Sequence, residues 1–119
     1  MTATDNRTLG YRVYEAINAR DMQRLGELFA PNFISHASGI TSIEETKKSL
    51  DHHLTAFPAS RFVVEDLLVD GDRAALRVII EGVPVEPGQP KPVIMEIFRI
   101  EKGRVAEIWG AGTMRVPAA

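Results

Sequence analysis

The sequence contains no cysteine. That absence excludes a disulfide scaffold, a Cys-ligated zinc or iron–sulfur site, and a thiol nucleophile. Neither sign of charge dominates: 14 Lys+Arg stand against 16 Asp+Glu, for a formal net charge of −2. With no basic footprint, nucleic acid is not an expected partner. No apolar run approaches the ~20 residues of a bilayer-spanning helix, so no membrane association is expected. The stretch Met1–Arg7 lacks a charged segment followed by an apolar one, so no secretory signal is read and a cytoplasmic location is expected. Phosphate-cradling glycine loops and a Gly-x-Ser-x-Gly elbow are also missing. What remains is a chain of 119 residues, 45% of them hydrophobic, expected to form one domain over residues 1–119.

Helical periodicity fills the first half. Asp5 to Ala19 reads as a helix capped by Asp5, with Leu9, Val13, Ala16 and Ile17 on one face. Asp21 caps a second, short helix carrying Met22, Leu25, Leu28 and Phe29, which Pro31 is expected to end. Phe33–His36 is a short extended piece. A capping box, Ser42 with Glu45 or Thr41 with Glu44, opens a third helix that Pro58 closes.

After Ser60 the period falls to two. Strands are expected over Arg61–Val69, Arg73–Gly82, Pro92–Ile100 and Arg104–Arg115, with turns at Asp70-Gly71-Asp72 and Lys102-Gly103. Val83–Lys91, with Pro84, Pro87, Pro90 and Gly88, is a loop. Helices followed by a meander of strands imply an α+β domain. Counting from the Lys102-Gly103 turn pairs Phe98 with Glu107, Glu96 with Trp109 and Ile94 with Ala111. That register puts Ile94, Glu96, Phe98, Trp109, Ala111 and Thr113 on one face, and Met95, Ile97, Ile108, Gly110 and Met114 on the other. The same count pairs Asp66 with Arg77 and Val64 with Ile79. Both faces of the last hairpin are largely apolar, so helices should cover one and a partner subunit the other. A homodimer through the sheet is the expectation.

The segments Tyr14–Asp21, Leu28–Phe33 with His36, Phe57-Pro58, Val64–Leu67, Asp70–Arg73 and Phe98–Trp109, in this order and spacing, resemble SnoaL-like proteins of the NTF2-like superfamily. The resemblance covers nearly the whole chain. It implies an α+β cone, in which three N-terminal helices pack on a curved antiparallel sheet of four to five strands around a pocket. It also implies a dimer and no cofactor. The superfamily includes polyketide and ester cyclases, ketosteroid isomerases, dehydratases, epoxide hydrolases and non-catalytic ligand binders. In SnoaL-like cyclases an acid/base Asp lies four residues after the Trp. Here that position is Thr113, which does not titrate near neutral pH.

Two residues lead as acid/base candidates. His36 matches the position of the proton-moving Asp of the isomerase branch, and an imidazole with a reference pKa of ~6.5 suits a general base. Its alternative role is to order a loop. Glu96 lies mid-strand among apolar residues, where desolvation should raise its proton affinity. Alternatively it reaches solvent or pairs with Arg77. Arg77 is a candidate to hold a substrate oxygen with Asp66 orienting it, as in limonene-epoxide-hydrolase-like enzymes, or the two form a structural ion pair. Tyr14 is either a hydrogen-bond donor to substrate or a core residue. The isomerases' catalytic Tyr falls where this chain has Val13. Phe33 and Phe57 read as core and pocket wall, Trp109 as a stacking surface for a flat ligand, and Thr113 as a binder of developing negative charge. His52 and His53 diverge by ~100° on a helix, so no metal site is expected. The functional expectation is a cofactor-independent acid/base enzyme on a small apolar carbonyl compound. A non-catalytic small-molecule-binding module is the alternative.

Overall fold

The computed structural model describes residues 2–36, 39 and 42–113. In chain order the elements are α1 (Ala3–Asn18), α2 (Met22–Glu27), β1 (Phe29–Ser35), α3 (Ile43–Ala56), β2 (Arg61–Asp70), β3 (Arg73–Glu81), β4 (Val93–Glu101) and β5 (Arg104–Gly112). The strands form one curved, unclosed sheet in the order β1-β5-β4-β3-β2. β1 runs parallel to β5, and the other neighbours are antiparallel.

Helix termini follow local chemistry. Thr2, not Asp5, is the N-cap of α1: its hydroxyl accepts the Asp5 N–H at 3.1 Å, and the Asp5 carboxylate accepts the Thr2 N–H in return. The reciprocal pair satisfies two amides that the first turn leaves open. Asp21 caps α2 and Ser42 caps α3. The alternative box at Thr41 and the strand end expected at Met114 and Arg115 lie outside the described residues. Pro31 does not end α2, which stops at Glu27. It sits within β1, an edge strand that tolerates a missing amide.

Two β-bulges change the expected register. In the β4–β5 hairpin Glu101 pairs with Arg104 and Ile100 with Val105, but Arg99 pairs with Glu107, so Ala106 is an extra residue. Beyond it Phe98 faces Ile108, Ile97 faces Trp109 and Glu96 faces Gly110. A one-residue slip moves every later side chain to the opposite face. The face expected for Trp109, Ala111 and Thr113 is therefore occupied by Ile108, Gly110 and Gly112. In the β2–β3 hairpin Asp66 does pair with Arg77, but Glu65 bulges, so Val63 rather than Val64 opposes Ile79.

The core lies between the helices and one face of this sheet. Ala74, Leu76, Val78 and Ile80 alternate inward along β3, and Leu25, Phe33, Phe98 and Val105 are fully buried with them. Each large side chain so buried contributes about 2 kcal/mol. Asn18 fastens the end of α1 to the start of β2: its side chain donates to the Phe62 carbonyl and accepts the Phe62 amide, both at 2.8 Å. The other sheet face is open. Leu68, Met95 and Ile97 are 69%, 54% and 41% exposed there, and no segment among the described residues covers them.

Candidate active site

α1, α2 and α3 do not close down on the sheet everywhere. They leave a cavity of about 270 Å³ between the helices and the inner face of β4 and β5. Its walls are apolar: Val13 and Ile17 from α1, Leu25 from α2, Phe29 and Phe33 from β1, Leu50 from α3, and Phe62, Ile94, Phe98 and Ile108 from the other strands. Ser35, Thr46 and Ser49 supply hydroxyls. The exposed Ser49, Ala111 and Gly112 mark its mouth.

Glu96 is the one acid that lines this cavity among the described residues, and no Lys, Arg or His lines it. Strand alternation carries Glu96 to the inner face between Ile94 and Phe98. The residue opposite, Gly110, has no side chain to fill the space beside it. A Cβ at Gly110 would come within 2.8 Å of the Glu96 Cβ and 3.0 Å of the Met95 carbonyl, so only glycine fits. From the helix side Tyr14 donates its hydroxyl to Oε1 of Glu96. Tyr14 is itself buried and packs 6.0 Å from the Phe62 ring.

The electrostatics follow from this enclosure. Desolvation raises the Glu96 carboxyl from 4.5 to about 7, and the Tyr14 hydrogen bond opposes part of that rise. Burial, followed by the neighbouring Glu96 charge, pushes the Tyr14 phenol well above its usual value, so it stays a donor. A carboxyl balanced between its two forms near neutral pH can both take and give a proton.

The other candidates lie elsewhere. His36 stands at the end of β1 on the open side of the sheet. Its ring stacks on Trp109 at 4.9 Å between centroids and 11° between planes, and its Nε2 lies 2.6 Å from Glu107. The Ala106 bulge carries Trp109 to that same outer side, where Arg73 sits 4.8 Å from the ring centroid. Arg99 also bonds Glu107, at 2.5 Å, and the two partners hold the Glu107 carboxyl below its usual range, His36 first. Neither His36 nor Trp109 reaches the cavity.

Arg77 does not pair with Glu96. It lies on the outer face, bonded to Asp66 at 2.6 Å. Both border a groove there that Glu96 also touches, but neither lines the cavity in which Tyr14 meets Glu96. Thr113 is exposed and continues the sheet: its hydroxyl accepts the Val93 N–H and its amide donates to the Val93 carbonyl, both at 3.0 Å. Phe57 caps α3 and, with Thr113 and Arg77, borders a separate groove beneath the proline-rich loop. His53 is buried against Phe57 and Phe62, with no partner for Nε2 among the described residues. Burial, with the Arg20 charge, lowers its pKa. No group of three His, Asp or Glu gathers to hold a metal among the described residues.

Of the anticipated site residues, Glu96, Tyr14 and Phe33 meet in the cavity. Thr46 and Ser49 were not anticipated. They lie three apart on α3, a spacing that puts them on one helical face, but their polarity hid them from a search for apolar stripes.

A family profile described as a SnoaL-like domain matches residues 11–108. A comparison with curated proteins found no match. Among solved structures, IdmH from Streptomyces antibioticus, described as a candidate polyketide cyclase, is similar with 23% identity over 91% of this chain and 91% of its own, at a TM-score of 0.76. AclR from Streptomyces galilaeus, a candidate hydroxylase, is 22% identical over 97% of this chain and 83% of its own, with a TM-score of 0.79. A candidate polyketide cyclase from Bacillus cereus is 20% identical over 93% and 76%, with a TM-score of 0.81. These likenesses show the fold. No helix among the described residues is long and apolar enough to cross a membrane.

Proposed function

The chain belongs to the SnoaL-like domain family, and from that premise we propose that it is a cofactor-independent acid/base enzyme acting on a compact, apolar, carbonyl-containing substrate. One observation carries this reading: Glu96, raised to about 7 and hydrogen-bonded by Tyr14, lines a largely apolar cavity. Oε2 of Glu96 has no hydrogen-bond partner among the described residues, so it is the oxygen that meets a substrate. It takes a proton from a carbon next to the carbonyl, and the electron pair moves into an enolate. Returning the proton to another carbon isomerises the substrate. Attack of the enolate on a second carbonyl closes a ring, and the new alkoxide takes the proton back from Glu96. Expulsion of a neighbouring hydroxyl by the enolate, which leaves as water with that same proton, dehydrates the substrate. Tyr14 keeps Glu96 in place and tunes its affinity for the proton. His36, Arg77, Trp109 and Thr113 take no part in this reading.

The test does not require the natural substrate. Solvent deuterium entering the α-position of small cyclic and aryl ketones is followed by proton NMR. The wild type is expected to accelerate exchange. Glu96→Gln should lower the rate on the order of 10²-fold or more, the scale of a lost general base, and Tyr14→Phe by about tenfold. Exchange that survives Glu96→Gln contradicts the assignment. A non-catalytic binding role is favoured by the absence, among the described residues, of a second acid or a cation from the cavity walls. It becomes the conclusion if ketones bind without exchange.

The open sheet face belongs to the same proposal. A second copy of this chain is its occupant. The patch joins exposed Leu68, Met95 and Ile97 to an Asp66–Arg77 pair. A surface that carries both signs around an apolar centre can meet itself across a two-fold axis.

A further inference from the structure

We propose that the cavity is also a receptor for compact apolar amines, whose ammonium group pairs with Oε2 of Glu96 while the hydrocarbon body fills the space bounded by Phe29, Phe33 and Phe62. The inference rests on the same cavity and the same carboxyl as the enzymatic reading, but not on catalysis.

The charge inventory of the site points to a cationic ligand. Glu96 faces the cavity from β4 and Tyr14 faces Glu96 from α1. The residue opposite Glu96 on β3 is Leu76, and on β5 it is Gly110. The residues that α3 contributes are Thr46, Ser49 and Leu50. No cationic side chain lines the space among the described residues, and the hydrogen bond seen at the carboxylate comes from a neutral phenol. A buried charge without a partner is costly, and a counter-charge in contact offsets that cost. A neutral ligand does not supply one. An anionic ligand adds repulsion in a medium of low effective dielectric. Tyr14 occupies Oε1, which leaves Oε2 as the acceptor for an N–H donor.

Size narrows the class further. At about 270 Å³ the cavity lies just below the ~300 Å³ lower end of common ligand pockets, so a one- or two-ring skeleton fits and a four-ring one does not.

Three probes on one skeleton separate charge from shape: 1-naphthylmethylamine, 1-naphthalenemethanol and 1-naphthoate, titrated into the full chain by calorimetry at pH 8 and pH 5. At pH 8 the amine should bind at least about tenfold tighter than the alcohol, and the naphthoate should not bind measurably. At pH 5, with Glu96 protonated, the advantage of the amine should fall to within a few-fold. Glu96→Gln should abolish it at both pH values and leave alcohol binding intact, which also shows that the variant is folded. An amine that binds no tighter than the alcohol at pH 8 overturns the proposal. So does an advantage that persists in Glu96→Gln, and so does a cavity that takes none of the three probes. If Glu96-dependent deuterium exchange remains while the amine preference fails, only this inference falls.

Discussion

At the scale of single residues, one carboxyl dominates. Ionising Glu96 inside the folded chain is harder than in the unfolded chain, because its pKa rises from 4.5 to about 7. A raised acid stabilises the fold fully below the unfolded value, and that contribution is lost as pH climbs through about 7. The full linkage is about 3 kcal/mol, each pKa unit being worth ~1.4 kcal/mol. Glu96→Gln keeps the shape and removes the titration. The variant should therefore melt several degrees above the wild type at pH 8.5 and close to it at pH 4.5, followed by circular dichroism. Equal shifts at both pH values contradict the linkage. The acid end of the same profile belongs to His53, whose depressed pKa makes the fold lose stability as pH falls below the ordinary histidine range.

At the scale of elements, the two bulges decide which side chains meet. Without Ala106, β5 would present Trp109 to the cavity. With it, β5 presents Gly110. That glycine lets β5 approach Glu96 closely. Gly110→Ala should destabilise the fold by about 1–3 kcal/mol, the range for an over-packed contact, and should slow ketone exchange by displacing Glu96. Gly112→Ala is the comparison, since its Cβ would meet nothing nearer than the Val93 carbonyl at 3.3 Å, and its effect should be smaller. Denaturant titration with parallel exchange rates checks both. If the two variants behave alike, the close approach at Gly110 has no special consequence.

The same elements show what a sequence reveals. Helix caps at Asp21 and Ser42, the turns and the inward placement of Glu96 were all legible, because each depends on a few adjacent residues. The bulges were not. An inserted Ala106 keeps the apolar alternation plausible in either register, and its trace is only that Val105 and Ala106 are both buried in succession. Counting past that point exchanged the faces of β5. Trp109 was thereby expected in the cavity, whereas His36 was expected there from the resemblance to the isomerase branch. The Tyr14–Glu96 contact, made across 82 positions of chain, has no local signature.

At the scale of the whole molecule, the sheet divides the protein into a cavity side and an open side. The open side combines exposed Leu68, Met95 and Ile97 with charged pairs of both signs. A self-association through it should be broken by a charge at its centre. Ile97→Asp, whose side chain points away from the cavity, should convert a dimer to a monomer by light scattering, with ketone exchange retained. A wild type that is monomeric at high micromolar concentration rules out the sheet-to-sheet arrangement. Loss of exchange with the monomer would mean that the second copy supports the cavity as well as covering the sheet.

The acid/base reading depends most directly on the proton affinity of Glu96 in the folded chain. Side-chain carboxyl carbons labelled with ¹³C are titrated by NMR, and Glu96 is assigned by the resonance that disappears in Glu96→Gln. A midpoint near 7, shifted in Tyr14→Phe, is the predicted result. A midpoint at the ordinary glutamate value near 4.5 would place the carboxyl in water and contradict its role as the acid and base of the site.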